Sequence, residues 1–425
     1  MPPFPYWGGE DNDRLQNTEW DNESTTANLT ASISPMHRLA PFRWIVALVL
    51  ALALVLEMVN GRFWLNDLRV YVMAADALKH GDAVYGLPFG LDTGFYKYAP
   101  GLLYFFVPYT CIPFAAACVL HFALISAALL SVFLRVERML MQHLFLVHPP
   151  KVVLRAFVGF LCVAVHVVRE LHLGNVNVLL LWCVVVALEA VLEERDLTAG
   201  VLLGLAIFVK PYLLLCAVPM VVLRRTAVLG WALVAVGIGL ALPVVLEGPA
   251  MGWSLNGSWI AAMRAHGDYL TSANTARSLV SNVIGRELPA RWDLLFIAGA
   301  GILVGVVTRQ KMRHGRSEAL VVGTAMALAC VPLLVITDVQ HFLLALPLIL
   351  LVLAQLFRRS SPRRAVLFIL AMLAYSTDST DLWGSELATR FQHAGLVGWG
   401  AALLLANALL APPCPPGPFR AQFSN

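Results

Sequence analysis

The sequence predicts an all-α, polytopic membrane protein with about 10–12 transmembrane helices. Three observations carry that prediction. Of 425 residues, 59% are hydrophobic and only 13% charged. Apolar runs long enough to cross a bilayer recur along the whole chain. The basic residues between these runs collect in alternate loops, as the bias of Lys and Arg toward the cytoplasmic side of a membrane requires.

Residues 1–40 are polar and acidic and read as a disordered cytoplasmic tail. They are too long a preamble for a cleaved signal peptide, so the run 41–59 is expected to be an uncleaved anchor. Further apolar segments fall near 100–134, 152–168, 176–192, 197–209, 211–223, 227–246, 292–308, 319–336, 342–357, 365–375 and 394–411. Residues 41–411 form a single transmembrane domain, and 412–425 are a Pro-rich tail containing "PPCPPGPF". The run 100–134 carries Pro108 and Pro113 and reads either as one span or as a short helix followed by a full one. Six of the seven cysteines lie in apolar segments, so no loop offers a disulfide pair. The net charge of +4 is small, and no basic block is interleaved with aromatics; nucleic acid is not an expected partner.

Arg135, Arg138, Lys151 and Arg155 form one basic group, Arg224 and Arg225 the next, then Arg309, Lys311, Arg313 and Arg316, then Arg358, Arg359, Arg363 and Arg364. They share one side only if 197–209 and 211–223 make a hairpin with Lys210 at its tip. Residues 60–99, 169–175, 247–291, 337–341 and 376–393 then meet on the opposite, outer face.

The outer loop after the first span contains "NDLRVYVMAADALKHG", a short amphipathic helix from Asn66 or Asp67 to about His80, ended by Gly81. At about 100° per residue Asp67 and Asp76 point in opposite directions. Asp76 shares a solvated stripe with Arg69 and His80 and can pair with His80 one turn on. Asp67 lies above Tyr71, Ala74 and Leu78, on the face turned toward membrane or protein. An ionisable group there is costly, and two readings explain it: helix capping, or function.

"NDLRVYVMAADALKHGDAVY", "FYKYAPGLLYFFVPYTCIPF" and "LGNVNVLLLWCVVVALEAVLEERDLTAGVLLGLAIFVKPYLLL" together resemble the GT-C membrane glycosyltransferases. The closest resemblance is to glycosyltransferase family 87, an α-mannosyltransferase-like group using polyprenyl-phosphate sugars. It runs from about Trp64 to Arg225 and weakens into "NTARSLVSNVIGREL" and "DVQHFLLALPLILL". In "LGNVN" this chain departs from the family's more frequent Gln after Gly; Asn175 keeps the amide and shortens its reach. The resemblance implies a GT-C-like fold, a polyprenyl-phosphate sugar donor, a glycan or glycolipid acceptor, and an aspartate just after the first transmembrane helix as catalytic base. Asp67 holds that place.

A phosphate leaving group needs no proton from the enzyme, so one base suffices where a glycosidase needs two carboxylates. Groups aimed at the departing phosphate lower the barrier, and Lys210 and His341 are the candidates. Snorkelling to the interface is the alternative for Lys210, and a neutral, hydrogen-bonded imidazole for His341. For sugar hydroxyls the outer loops offer Tyr96, Lys97, Tyr98, Asn175, Asn177, Asn274 and Arg286. An interfacial aromatic belt is the alternative for the tyrosines, and helix capping for Asn175 and Asn177. Glu170 is expected to pair with Arg169 or His172 rather than serve as a second base. The sequence shows no metal-ligand set and no cofactor motif, and "NGS" at Asn256 is a glycosylation acceptor only in a eukaryotic lumen. The membrane is the plasma (inner) membrane in a bacterium and that of the ER in a eukaryote, with the site on the outer or lumenal side. The rival readings are a multi-pass secondary transporter, which builds its site near the midplane, usually from internal repeats, and a lipid-linked sugar flippase or scaffold.

Overall fold

A computed structural model of the chain describes residues 38–61, 63, 65–90, 94–145, 151–264, 272–336, 338–359 and 361–411. The expected tails, 1–37 and 412–425, lie outside the described residues. The protein is an all-α polytopic membrane protein: among the described residues seven helices are long and apolar enough to cross a bilayer, and four shorter apolar helices stand with them.

The chain runs through α1 (Ala40–Val59) and the expected loop helix α2 (Asn66–His80), which Gly81 ends in the left-handed region. The proline-bearing run resolves into short turns over 100–111; Pro113 then starts the long α3 (Phe114–Met139). Next come α4 (Val152–Leu173), α5 (Asn177–Leu192) and α6 (Asp196–Val209). After Lys210, a 3-10 turn (Pro211–Ala217) leads into α7 (Val218–Val222), then α8 (Thr226–Leu246) and α9 (Pro249–Arg264). The amphipathic α10 (Ala276–Ile284) precedes α11 (Trp292–Lys311) and α12 (Arg316–Leu334). A 3-10 segment (Val339–Ala345) opens α13 (Leu346–Arg358), and α14 (Pro362–Tyr375), α15 (Ser385–His393) and α16 (Leu396–Leu409) complete the chain.

Ion pairs fix which ends lie together. Arg225 comes within 4.0 Å of Asp196, so the chain that rose along α6 to Lys210 has returned to the level where α6 began. The expected hairpin with Lys210 at its tip is therefore formed. Lys311 closes the α11–α12 turn onto Glu318 at 3.4 Å, and Arg135 and Arg138 both reach Glu189. These contacts mark one end of the bundle; Lys210, at the opposite end of α6, marks the other. Close approach of α6 and α8 depends on Gly200 and Gly204, where a methyl would stand 2.6 Å from the Val228 carbonyl and 2.5 Å from that of Ala232. The segments α12 and Val339–Arg358 form the bundle's centre, since 89% of each span is buried.

Asn256 lies buried in α9 with its amide nitrogen donating to the Leu240 and Gly252 carbonyls, so this Asn is not presented as a glycosylation acceptor. The six described cysteines are all free thiols.

Candidate active site

Asp67 occupies the first turn of α2, yet it caps nothing. Leu65, in the left-handed region at φ 33°, precedes the helix as its N-cap residue and makes no side-chain cap bond. The carboxylate instead accepts a 2.5 Å hydrogen bond from Asn175 Nδ2. Asn175 is held for this by its own turn, since its Oδ1 accepts from Val176 N at 2.7 Å. Gly174, at φ +67°, ends α4, and a side chain there would meet Leu65 at 2.6 Å. Only glycine lets the two loops approach closely enough for Asn175 to reach Asp67. Burial raises the Asp67 pKa to about 6, with the Asn175 bond opposing the rise. Asp76, by contrast, sits 3.7 Å from His80 on the solvated face.

Lys210 is extended, with φ −133°, because Pro211 forbids the preceding residue a helical turn. Its buried ammonium donates to Asn177 Oδ1 at 2.5 Å and to His341 Nε2 at 2.7 Å. An ammonium has three donors, so one N–H remains. Rings flank it: Tyr98 at 5.4 Å and Tyr212 at 5.9 Å. Burial lowers its pKa, and the nearby carboxylates, Glu170 foremost, oppose that.

The protonation of His341 follows from its partners. Its Nδ1 lies 2.9 Å from the Asp338 carbonyl, which can only accept, so Nδ1 carries the hydrogen. Its Nε2 faces an ammonium, which can only donate. His341 is therefore the neutral Nδ1–H tautomer, the hydrogen-bonded imidazole that was the alternative expectation, and it holds Lys210 in place.

Behind Lys210, Asn177 Nδ2 donates to Glu170 Oε2 at 2.8 Å, and Val178 N donates to Glu170 Oε1 at 3.0 Å. Neither expected Glu170 partner is used: Arg169 pairs with Asp378 and His172 with Glu57. Capping by Asn177 is also corrected. Glu170 from the preceding helix satisfies the α5 amide, which frees Asn177 to bridge Glu170 and Lys210.

Asp67, Lys97, Tyr98, Asn175, Lys210 and His341 line one cavity of about 450 Å³. Burial pushes the Lys97 pKa down. Tyr96 stays in the surrounding aromatic core, its hydroxyl donating to the Ala99 carbonyl. Asn274 is used structurally, accepting from Gly398 N at 3.0 Å, and Arg286 lines a separate cavity. The cavity also contains Asp338, Asp293, Tyr71, Tyr212 and Trp259, which the sequence reading did not single out. Trp259 carries a usable signal, an aromatic in a long polar loop; its indole donates to the Lys97 carbonyl at 3.2 Å. Among the described residues no three His, Cys, Asp or Glu side chains converge as metal ligands.

A helical membrane bundle with a cavity at one end, walled by charged groups and aromatic rings, defines a class: a polytopic membrane protein with a site for a polar ligand. The chain matches glycosyltransferase family 87 over residues 95–337, more than half its length, and belongs to that family. It is a membrane glycosyltransferase. The matched stretch includes Lys97, Asn175, Asn177 and Lys210, while Asp67, Asp338 and His341 lie outside it. No curated protein matches the chain.

Proposed function

We propose that the protein transfers a hexose, mannose by family resemblance, from a polyprenyl-phosphate donor to a hydroxyl of a glycan or glycolipid acceptor, with inversion, at the outer or lumenal membrane face. The observation that carries this reading is the meeting of the Asp67 carboxylate and the Lys210 ammonium on one cavity wall. Asp67 accepts the proton of the acceptor hydroxyl as its oxygen forms the bond to the anomeric carbon. The bond to the phosphate oxygen breaks on the opposite face, and its electron pair leaves with the phosphate. Lys210, with one N–H uncommitted, meets the charge that grows there. His341 and Asn177 hold that ammonium in place without neutralising it.

A carboxylate with a pKa of about 6 is mostly ionised at neutral pH and more basic than an ordinary aspartate, which suits a general base. The outer placement is supported by the basic loops, which gather at the other end of the bundle. The site's position at one end also favours chemistry on a lipid headgroup over the midplane site of a transporter.

The test incubates purified protein with radiolabelled polyprenyl-phosphate mannose and a membrane extract. Labelled product is expected from the wild type and none from Asp67→Asn, which should keep donor binding. Equal product from both would remove Asp67 from the base role. Absence of any polyprenyl-linked transfer by the wild type would overturn the donor assignment.

A further inference from the structure

A second cavity, of about 400 Å³, opens beside α10. Unlike the first, it has no apolar side chain in its wall among the described residues: Ser272, Ser278, Ser281, Asn282, Arg277 and Arg286 supply hydroxyl, amide and guanidinium groups, with Glu287 at the same turn. The wall is built, not incidental. Ser278 Oγ lies 3.1 Å from Thr275 Oγ1 and 3.2 Å from Ser272 Oγ, and Ser281 Oγ accepts from Leu288 N at 3.0 Å. Gly285, at φ +65°, ends the helix, and the next amide, Arg286 N, bonds back to Ser281 O at 3.2 Å. That turn presents the exposed Arg286 guanidinium, which has no hydrogen-bond or ion-pair partner among the described residues. Arg277 is already committed, to Asp293 at 2.9 Å and the Leu288 carbonyl at 3.1 Å.

The opposite side of the helix is apolar. Val280, Val283 and Ile284 are 37%, 69% and 52% exposed and fall at i, i+3 and i+4, an apolar stripe of the kind a helix lying in a membrane interface turns toward lipid, while Leu279 packs inward. One short helix thus exposes an apolar stripe on one side and bounds a hydrophilic pocket with an uncommitted guanidinium on the other.

We propose that the second cavity binds the phosphate headgroup of a membrane lipid whose chains lie along Val280, Val283 and Ile284, with Arg286 as its charged anchor. Guanidinium and serine hydroxyls are the groups that recognise a phosphate, and an amphiphile is what a pocket bordered by an apolar stripe admits. The Arg277–Asp293 pair joins this site to the first cavity, because Arg277 lines one and Asp293 the other. A lipid with sugars on its headgroup could reach the first cavity from here; that use rests on the transferase reading, and the binding itself does not.

Calorimetric titration of the purified full chain in detergent tests the site, with dioctanoyl phosphatidylglycerol as probe and dioctanoylglycerol and inorganic phosphate as comparisons. Saturable binding of the phospholipid is expected, weakened about tenfold by Arg286→Gln and by loss of the phosphate, and strengthened by Glu287→Gln, which removes a repelling charge. Both positions are exposed, so unchanged melting temperatures check the fold. No saturable phospholipid binding, equal binding of dioctanoylglycerol, or an affinity indifferent to Arg286→Gln overturns the proposal. Inorganic phosphate binding as tightly as the phospholipid overturns its lipid part. Failure of the Asp67→Asn transfer test leaves this result untouched, so the two readings fall separately.

Discussion

Two groups of buried charge stand in different parts of this bundle. Where α3 and α4 meet near their linking loop, Arg155 and Glu137 are fully buried and bind each other through two guanidinium nitrogens. At the cavity, Asp67 is bound by a neutral amide, and Lys210 by a neutral amide and a neutral imidazole. The first arrangement cancels its charges; the second fixes their positions and leaves them able to act. Both cost desolvation, but only the cavity pair faces a space that a substrate can fill. A buried charge held by neutral partners therefore points to chemistry more strongly than one held by its opposite.

Substitutions can break this contrast. The largest effect is expected from Asp67→Asn, with transfer falling by about 10²–10⁴ in a steady-state assay. The same variant should be more stable. The Asp67 pKa is raised in the folded state to about 6 from an ordinary 3.8, so ionisation above that ordinary value favours the unfolded chain. Thermal melts should show the variant's advantage at pH 7.5 and lose it as the pH falls to about 4.

Lys210→Met should lower kcat by about 10²–10³ through loss of charge at the leaving phosphate. Glu137→Gln should reverse that pattern: about 3–5 kcal/mol less stable by denaturant titration, because it strands the Arg155 guanidinium, with kcat within about twofold of the wild type. His341→Phe removes a support rather than a charge, and a loss of about tenfold in kcat is expected. The smallest effect belongs to Asn175→Ala. The rising limb of kcat/KM against pH should lie near 6 in the wild type, and loss of the bond that holds the Asp67 pKa down should move it to higher pH.

Much of the fold was legible because apolar runs and helix-breaking residues are local signals. The loop helix, its Gly81 stop, the break at Pro113 and the Lys210 hairpin could all be read from short stretches. The site was legible in part. Helical geometry separated Asp67 from Asp76, and Pro211 marked Lys210 as irregular. Glu170 was misread because it looked complete within its own segment, as half of a neighbouring ion pair. The side-chain partners that Glu170, Asn177 and Lys210 take from one another and from His341 lie 7 to 131 positions apart in sequence, and only packing decides them. Asp338 was overlooked although it adjoins His341, since nothing local distinguishes an aspartate that caps a turn from one that lines a cavity.

What the sequence by itself determined is which segments belong to hydrocarbon, the long apolar runs that form the spanning helices. Those assignments follow from transfer free energies that each residue carries wherever it sits. The tertiary structure alone decided which polar groups share a hydrogen bond, and hence that His341 is neutral and that Lys210 keeps a donor. Protonation depends on partners a few ångströms away, brought together from α4, α5, the α6 hairpin and the start of α13 only when the bundle closes.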